Sequence, residues 1–161
     1  MGSRRFLNQS LVSVFAVLAA GASYAECSDE HLSLRGPFGT AQFSVDVADT
    51  EDERSRGLMF VESMATMEGM LFVYDQPRSA SFWMRNTLIP LDMLFADSSG
   101  IIRHIHANAQ PLDETVIFGG RDVQYVLEIN GGLAERLGLK VGDQMQHPSF
   151  GANSSWPCTS N

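Results

Sequence analysis

Hydrophobic and polar residues alternate along short stretches of the chain, which is the pattern of half-buried β-strands. In residues 42–46 the alternation places Phe43 and Val45 on one face, and Val47 continues it. Residues 69–74 form instead an unbroken apolar run that ends at Asp-Gln-Pro. The first pattern predicts a strand with one buried face, and the second predicts a strand buried on both faces.

More strands are predicted at short intervals along the chain. They cover residues 81–84, 91–96, 101–107 and 123–129, and a last short strand ends at Met145. The sequence Asp-Ser-Ser-Gly at 97–100 predicts a hairpin turn with Gly100 in the left-handed conformation.

Two short helices interrupt these strands. Thr50 and Glu53 have the spacing of a capping box for a helix over residues 51–56, which Gly57 can end. A second helix is predicted at residues 133–137. The predicted fold class is therefore mostly β: a single compact sandwich-like or partly closed barrel domain with one or two short helices, lacking the long parallel crossovers of α/β proteins.

The first 25 residues have the features of a secretory signal peptide. Arg4 and Arg5 precede an apolar core at residues 11–20, and Ser-Tyr-Ala at 23–25 predicts cleavage after Ala25. A membrane anchor is the alternative, but the apolar core is about half the ~20 residues that a spanning helix needs. The predicted organisation is a signal peptide (1–25), an N-terminal extension (26–39), a β-rich domain (40–147) and an extended C-terminal tail (148–161). The product is expected to be periplasmic or secreted, with no membrane span after cleavage.

The cysteine content agrees with export. Cys27 and Cys158 are the only two cysteines, and they lie near opposite ends of the exported chain. In an oxidising compartment such a pair predicts a disulfide. Two free thiols or a metal-binding pair are the alternatives, although the chain has no CxxC spacing.

Composition and charge exclude several classes of protein. Of 161 residues, 44% are hydrophobic and 19% are charged, which is typical of neither a disordered tail nor a membrane bundle. The net charge is −8, and it becomes −10 without residues 1–25, which contain two arginines and no acid. Since no basic run is present, nucleic acid is not an expected partner.

Four blocks of sequence carry a family resemblance. They are RGLM at 56–59, GMLF at 69–72, FWMRNT at 82–87 followed by PLD at 90–92, and VLEINGG at 126–132. In this order they resemble the signature of the domain of unknown function 192 family, an uncharacterised bacterial and archaeal group that is often exported. The resemblance covers about residues 43–145. It implies a compact, mostly β fold and supplies no established reaction.

Polar and aromatic side chains are concentrated near the third block. The candidate ligand-binding residues are Trp83, Arg85, Asn86, Thr87, Asp92 and Glu128. Arginine and asparagine can present forked donors to a carboxylate, a sugar or a peptide carbonyl, and tryptophan can stack on the ligand. In the alternative interpretation Asn86 and Thr87 satisfy their own turn, Arg85 pairs with a carboxylate, and Trp83 belongs to the core.

Asp92 and Glu128 lie in apolar strands, where burial would raise a carboxyl pKa. If the two carboxyl groups were about 5–9 Å apart, they could form a glycosidase-like acid and base pair. Otherwise they face solvent, or Arg56, Arg85 or Arg121 neutralises them.

A metal site is a further possibility. His104 and His106 would share one face of a strand, and the exported chain has seven methionines, whose thioethers favour Cu(I). Methionine is more often a core filler, and no third ligand is evident. No cofactor is predicted.

The preferred interpretation is an exported, monomeric, non-catalytic binding or accessory module of the cell envelope, which holds a small polar ligand, a peptide or a glycan. There are two alternatives. One is an envelope hydrolase that uses Asp92 and Glu128, and the other is a copper-binding periplasmic protein that uses His104, His106 and methionine residues.

Overall fold

The computed structural model describes residues 27–158, so the predicted signal peptide lies outside the described part of the chain. The elements, in chain order, are β1 (His31–Gly36), β2 (Gly39–Ala48), α1 (Glu51–Arg56), β3 (Glu68–Phe82), β4 (Leu91–Ala96), β5 (Ile102–Ala109), β6 (Ile117–Asn130), α2 (Leu133–Leu137), β7 (Gln144–Gln146) and a 3-10 turn (Pro148–Phe150).

The strands form one seven-stranded sheet in the order β5-β4-β6-β3-β2-β1-β7, which curls into a half-barrel. At one end of the sheet the two edge strands meet: the Ile102 amide donates to Asp143 O at 2.9 Å, and the Met145 amide donates to Gly100 O at 2.8 Å. The predicted mostly β fold, as a partly closed barrel with two short helices, is confirmed.

One pair of neighbouring strands, β2 and β3, is parallel, and this corrects the expectation that parallel crossovers are absent. The crossover contains α1, which has the predicted capping box between Thr50 and Glu53. Gly57 ends the helix with φ of 48°, a conformation that favours glycine. A Cβ atom there would lie 3.2 Å from the ring of Phe72, so α1 ends directly against β3.

Strands β3 and β6 are longer than the pattern predicts. The predicted strands at 69–74 and 81–84 are parts of one strand, β3, whose pairing with β6 shifts register at three places between Val73 and Ser81. The Pro77 nitrogen has no hydrogen to donate, and alternation fails at such bulges. The pattern therefore predicted two strands where the chain makes a single bent one.

The chain ends contribute more to the domain than the sequence indicates. Strand β1 lies within residues 26–39, the predicted N-terminal extension, and it pairs with both β2 and β7. In the tail, the Phe150 ring is buried and stacks on Tyr125 with ring centroids 4.0 Å apart. The first part of the tail is thus folded rather than extended.

The sheet has a core on each face. The first core contains apolar side chains of β1, β2 and α2 with Leu127 and Ile129 of β6. The second core contains Phe72, Met93 and Val126 together with Leu58 from the residues after α1. Since successive residues of a strand point to opposite faces, β6 supplies both cores alternately.

Cys27 and Cys158 form the predicted disulfide, which joins residues 131 positions apart. Within residues 27–158, no helix combines the length and the apolar character needed to cross a membrane.

The disulfide gives a first prediction. In the chain-entropy account, closing so long a loop stabilises the fold by up to about 4–5 kcal/mol. We expect the Cys27→Ser/Cys158→Ser variant to unfold roughly 10 °C below the wild type in a thermal melt followed by circular dichroism. The wild type in reductant should approach the variant, and reductant should leave the variant unchanged. Equal melting temperatures for variant and oxidised wild type would contradict a stabilising role.

Candidate ligand-binding site

A cavity of about 440 Å³ opens on the face of the sheet that carries the second core. It lies between the end of α1, strands β3 and β6, and the segment that follows β3. Its walls include apolar and aromatic side chains, three arginines and one carboxyl group: Leu58, Met59, Phe72, Tyr74, Phe82, Trp83, Val116, Arg54, Arg56, Arg85 and Glu128. Small-molecule sites in proteins have volumes of about 300–1,000 Å³, so the cavity is large enough for a ligand.

Glu128 provides the one carboxyl group of the cavity wall. It lies on β6 directly between Met70 of β3 and Met93 of β4, and its side chain is 4% exposed. Its carboxyl oxygens receive no hydrogen bond from residues 27–158, and they are not sealed off but keep access to the cavity. Burial without a partner raises the pKa of Glu128 to about 8, because the ionised form loses its hydration. At neutral pH the carboxyl group is therefore mainly protonated.

Arginine side chains give the cavity a positive wall. The Arg54 guanidinium donates to Val73 O at 2.9 Å and lies 5.1 Å from the ring centre of Tyr74. Arg85 lies over the ring of Trp83 at 5.6 Å. Among residues 27–158 the single ion pair within 4.0 Å joins Arg103 to Asp97, so Arg54, Arg56 and Arg85 have no carboxylate partner there. Their charges are left to interact with solvent or with a ligand.

Two exposed apolar residues with an unusual backbone are hydrogen-bonded to the segment that follows β3. Phe60 (φ 65°) and Leu112 (φ 63°) adopt the left-handed conformation and are 63% and 60% exposed. The Phe60 amide donates to Asn86 O at 2.8 Å, and the Leu112 amide donates to Thr87 O at 3.1 Å. Bulky residues rarely adopt this conformation, and strained backbone is concentrated at functional sites. The carbonyl oxygens of Asn86 and Thr87 thus hold two strained loops next to the segment that carries Trp83 and Arg85.

Asp92 lies on the opposite face of the sheet from Glu128. On β4, Met93 pairs with Glu128, so the preceding residue points the other way. The Asp92 carboxylate is fully buried and accepts three backbone hydrogen bonds, from Asn108 at 2.7 Å, Gly132 at 2.8 Å and Ala134 at 2.7 Å. It anchors the start of α2, and the structure does not bring the two carboxyl groups together as an acid and base pair.

The structure gathers four of the six candidate ligand-binding residues: Trp83, Arg85, Thr87 and Glu128 line the cavity. Asn86 forms the left-handed turn beside it, and its amide points to Met59 Sδ at 3.8 Å. Thr87 Oγ1 donates to Arg85 O at 3.3 Å, so it also supports the turn. Trp83 is 47% exposed and is therefore not a core residue.

Sequence reasoning did not assign Arg54, Arg56 and Tyr74 to the site. The arginines of the cavity form no basic run in the chain, because Arg54 and Arg56 come from α1 and Arg85 from the segment after β3. The RGLM block at 56–59 was the available signal, since it places an arginine beside residues that line the cavity. Only the crossover between β2 and β3 brings this block next to Trp83 and Arg85.

The two histidines lie elsewhere on the sheet. His104 and His106 share a face of β5, as the spacing predicts, and His104 stacks on Phe95 with ring centroids 5.6 Å apart. Within residues 27–158 no group of three or more histidine, cysteine, aspartate or glutamate side chains could hold a metal ion. The geometry therefore gives no specific support to a copper site.

Comparisons with known proteins agree with the fold. The model of the domain of unknown function 192 family, described as an uncharacterized ACR, matches residues 35–147. A protein of unknown function from Novosphingobium aromaticivorans DSM 12444 is 43% identical, with a TM-score of 0.70 over 71% of this chain and 82% of that one. A putative transcription regulator from Sinorhizobium meliloti 1021 is 41% identical, with a TM-score of 0.71 over 76% of this chain and 95% of that one. No curated protein matches the chain.

The buried Glu128 predicts a particular pH dependence of stability. Its folded-state pKa of about 8 lies above its ordinary value of 4.5, so the folded protein binds the extra proton between these values. The stabilising contribution of this proton is fully present below about pH 4.5. It is lost progressively as pH rises to about 8, where the free energy of unfolding has fallen by up to about 5 kcal/mol. We expect Glu128→Gln to be more stable than the wild type at pH 9 and similar at pH 4.5, in denaturant titrations. The exposed Glu114→Gln is the control; a wild-type-like profile for Glu128→Gln would contradict the assignment.

The backbone cap at Asp92 predicts a structural role. Replacing Asp92 with asparagine puts an amide donor where the carboxylate accepts from backbone amides, so we expect a loss of roughly 2–3 kcal/mol in the free energy of unfolding. The exposed Asp122→Asn should change it by less than about 0.5 kcal/mol. Chemical denaturation measures both. An unchanged midpoint for Asp92→Asn would refute the anchoring role.

Proposed function

The chain belongs to the domain of unknown function 192 family, and we propose that it is an exported, non-catalytic binding module for a small ligand that carries an anionic group on an apolar body. The observation that carries the proposal is the set of three arginines, without carboxylate partners among residues 27–158, around a cavity with aromatic walls.

Two properties of the wall define the ligand. Guanidinium groups bind carboxylate or phosphate oxygens through paired hydrogen bonds, and the contacts of Arg54 with backbone and with Tyr74 hold its group in place before a ligand arrives. Phe72, Phe82 and Trp83 offer ring surfaces for an apolar body. The cavity therefore favours an anionic amphiphile over a uniformly polar sugar.

The size of the cavity distinguishes a small ligand from a long polymer. A volume of about 440 Å³ suits a drug-sized molecule or one end of a chain, whereas an extended peptide or glycan needs a groove along several residues. The proposed ligand is therefore a small molecule or a single chain end.

Export is the second part of the proposal. It is supported by the signal-peptide pattern of residues 1–25 and by the disulfide between Cys27 and Cys158, a bond typical of oxidising compartments.

The binding proposal is tested with probes whose charge alone differs. In the Trp156→Phe variant Trp83 is the remaining tryptophan, so its fluorescence reports on the cavity mouth. A panel of phenyl-, indolyl- and alkyl-carboxylates is titrated beside the corresponding primary amides. We expect the best carboxylate to bind about tenfold more tightly than its amide, because a charge-assisted pair with arginine is stronger than a neutral hydrogen bond.

Arginine variants identify the source of this preference. Arg85→Gln and Arg56→Gln should each weaken the carboxylate about tenfold and leave the amide nearly unchanged. Arg103→Gln is the matched control, because Arg103 is paired with Asp97 outside the cavity. Absence of any carboxylate signal at millimolar concentration, or equal loss in all three variants, would overturn the proposal.

A further inference from the structure

Glu128 is an unpartnered polar side chain that lines the inner part of the cavity. It is 4% exposed, it receives no hydrogen bond from residues 27–158, and its strand neighbours Met70 and Met93 are thioethers, which are at best weak hydrogen-bond acceptors. A buried polar group without a partner is costly, and native structures normally satisfy such groups with protein, water or ligand. The carboxyl group of Glu128 is therefore free to form a hydrogen bond with a ligand in the cavity.

We propose that the ligand has a second recognition point, an uncharged oxygen acceptor such as a carbonyl, which accepts a hydrogen bond from the protonated Glu128 carboxyl group while the anionic end binds the arginines at the mouth. This deepens the proposed function and rests on it. The ligand class becomes an anion with an apolar body and a neutral acceptor at the far end.

The charged groups around Glu128 include arginines, which would favour an ionised carboxylate if they paired with it, but none does. Strand β3 presents Tyr74, α1 presents Arg54 and Arg56, the segment after β3 presents Arg85, and His106 of β5 lies beyond Met93 in the same row. None of the arginines is within 4.0 Å of the Glu128 carboxyl group. The pKa of Tyr74 is raised by burial, so between about pH 7 and 9 Glu128 is the group of the cavity that titrates.

A ligand with a cationic far end is the competing possibility, because an ionised Glu128 could pair with an ammonium group. The surroundings disfavour it: both charges would have to be desolvated between two methionine side chains, with no further donors for the carboxylate oxygens. A protonated carboxyl group needs one acceptor, and a carbonyl oxygen supplies it without a buried charge.

Three probes of similar shape separate these cases. They are 4-acetylphenylacetate, which has a neutral acceptor, 4-isopropylphenylacetate, which has none, and 4-(aminomethyl)phenylacetate, which has a cation. Binding is followed by Trp83 fluorescence in the Trp156→Phe chain. At about pH 6.5 we expect the acetyl probe to bind roughly five- to tenfold more tightly than the isopropyl probe. Its dissociation constant should rise about tenfold by about pH 9, since the protonated fraction falls by that factor.

Variants of Glu128 and His106 assign the effect. Glu128→Gln keeps a donor, so the acetyl preference should persist while its pH dependence disappears. Glu128→Met introduces the same side chain as the neighbouring Met70 and Met93, and it should lose both the acetyl preference and its pH dependence. The control His106→Gln should behave like the wild type. Melting curves for each variant confirm folding, and the Gln variant keeps the test valid if the Met variant does not fold.

The outcomes distinguish the two proposals. Equal binding of the acetyl and isopropyl probes, with the arginine dependence intact, would overturn the role of Glu128 and leave the anion site standing. Tighter binding of the aminomethyl probe than of the acetyl probe would show an ionised Glu128 and would also overturn it. Loss of all carboxylate binding would remove the proposed function itself.

Discussion

The antiparallel pairing of β3 with β6 organises the sheet, both cores and the cavity. These two long strands occupy the middle of the sheet, and their side chains pack into both cores. At Gly69 the backbones approach so closely that a Cβ atom would lie 2.5 Å from the Glu128 carbonyl oxygen. The same register that positions this contact places the Glu128 side chain between two methionines at the inner wall of the cavity.

The two buried carboxyl groups of the sheet illustrate how strand alternation assigns different roles to similar residues. Asp92 faces the side where loop and helix backbone supply three donors, so its charge is satisfied and it anchors α2. Glu128 faces the side where the neighbours are thioethers and a cavity, and burial keeps it protonated. A one-residue difference in register would exchange these environments.

The cavity joins a rigid inner wall to a charged mouth. The inner wall belongs to the central strands, whereas the arginines come from α1 and from the segment after β3. The strained residues Phe60 and Leu112 donate backbone hydrogen bonds to that segment. Rigid strands with functional loops are a common arrangement in binding proteins, because the scaffold fixes the geometry that the loops use.

Four motif blocks are sufficient to identify the family. Local features of the chain also predict the fold class, the capping box of α1, the β4–β5 hairpin and the disulfide. Each of these depends on local periodicity, on turn residues such as Gly100, or on a residue pair with few alternatives. The sequence also identified Glu128 and Arg85 as candidates. Three features became visible only in the folded chain: Asp92 and Glu128 face apart, β1 completes the sheet, and three separated arginines share one cavity with Glu128. These features follow from strand register and from the β2–β3 crossover, which are long-range properties that no local window of the chain contains.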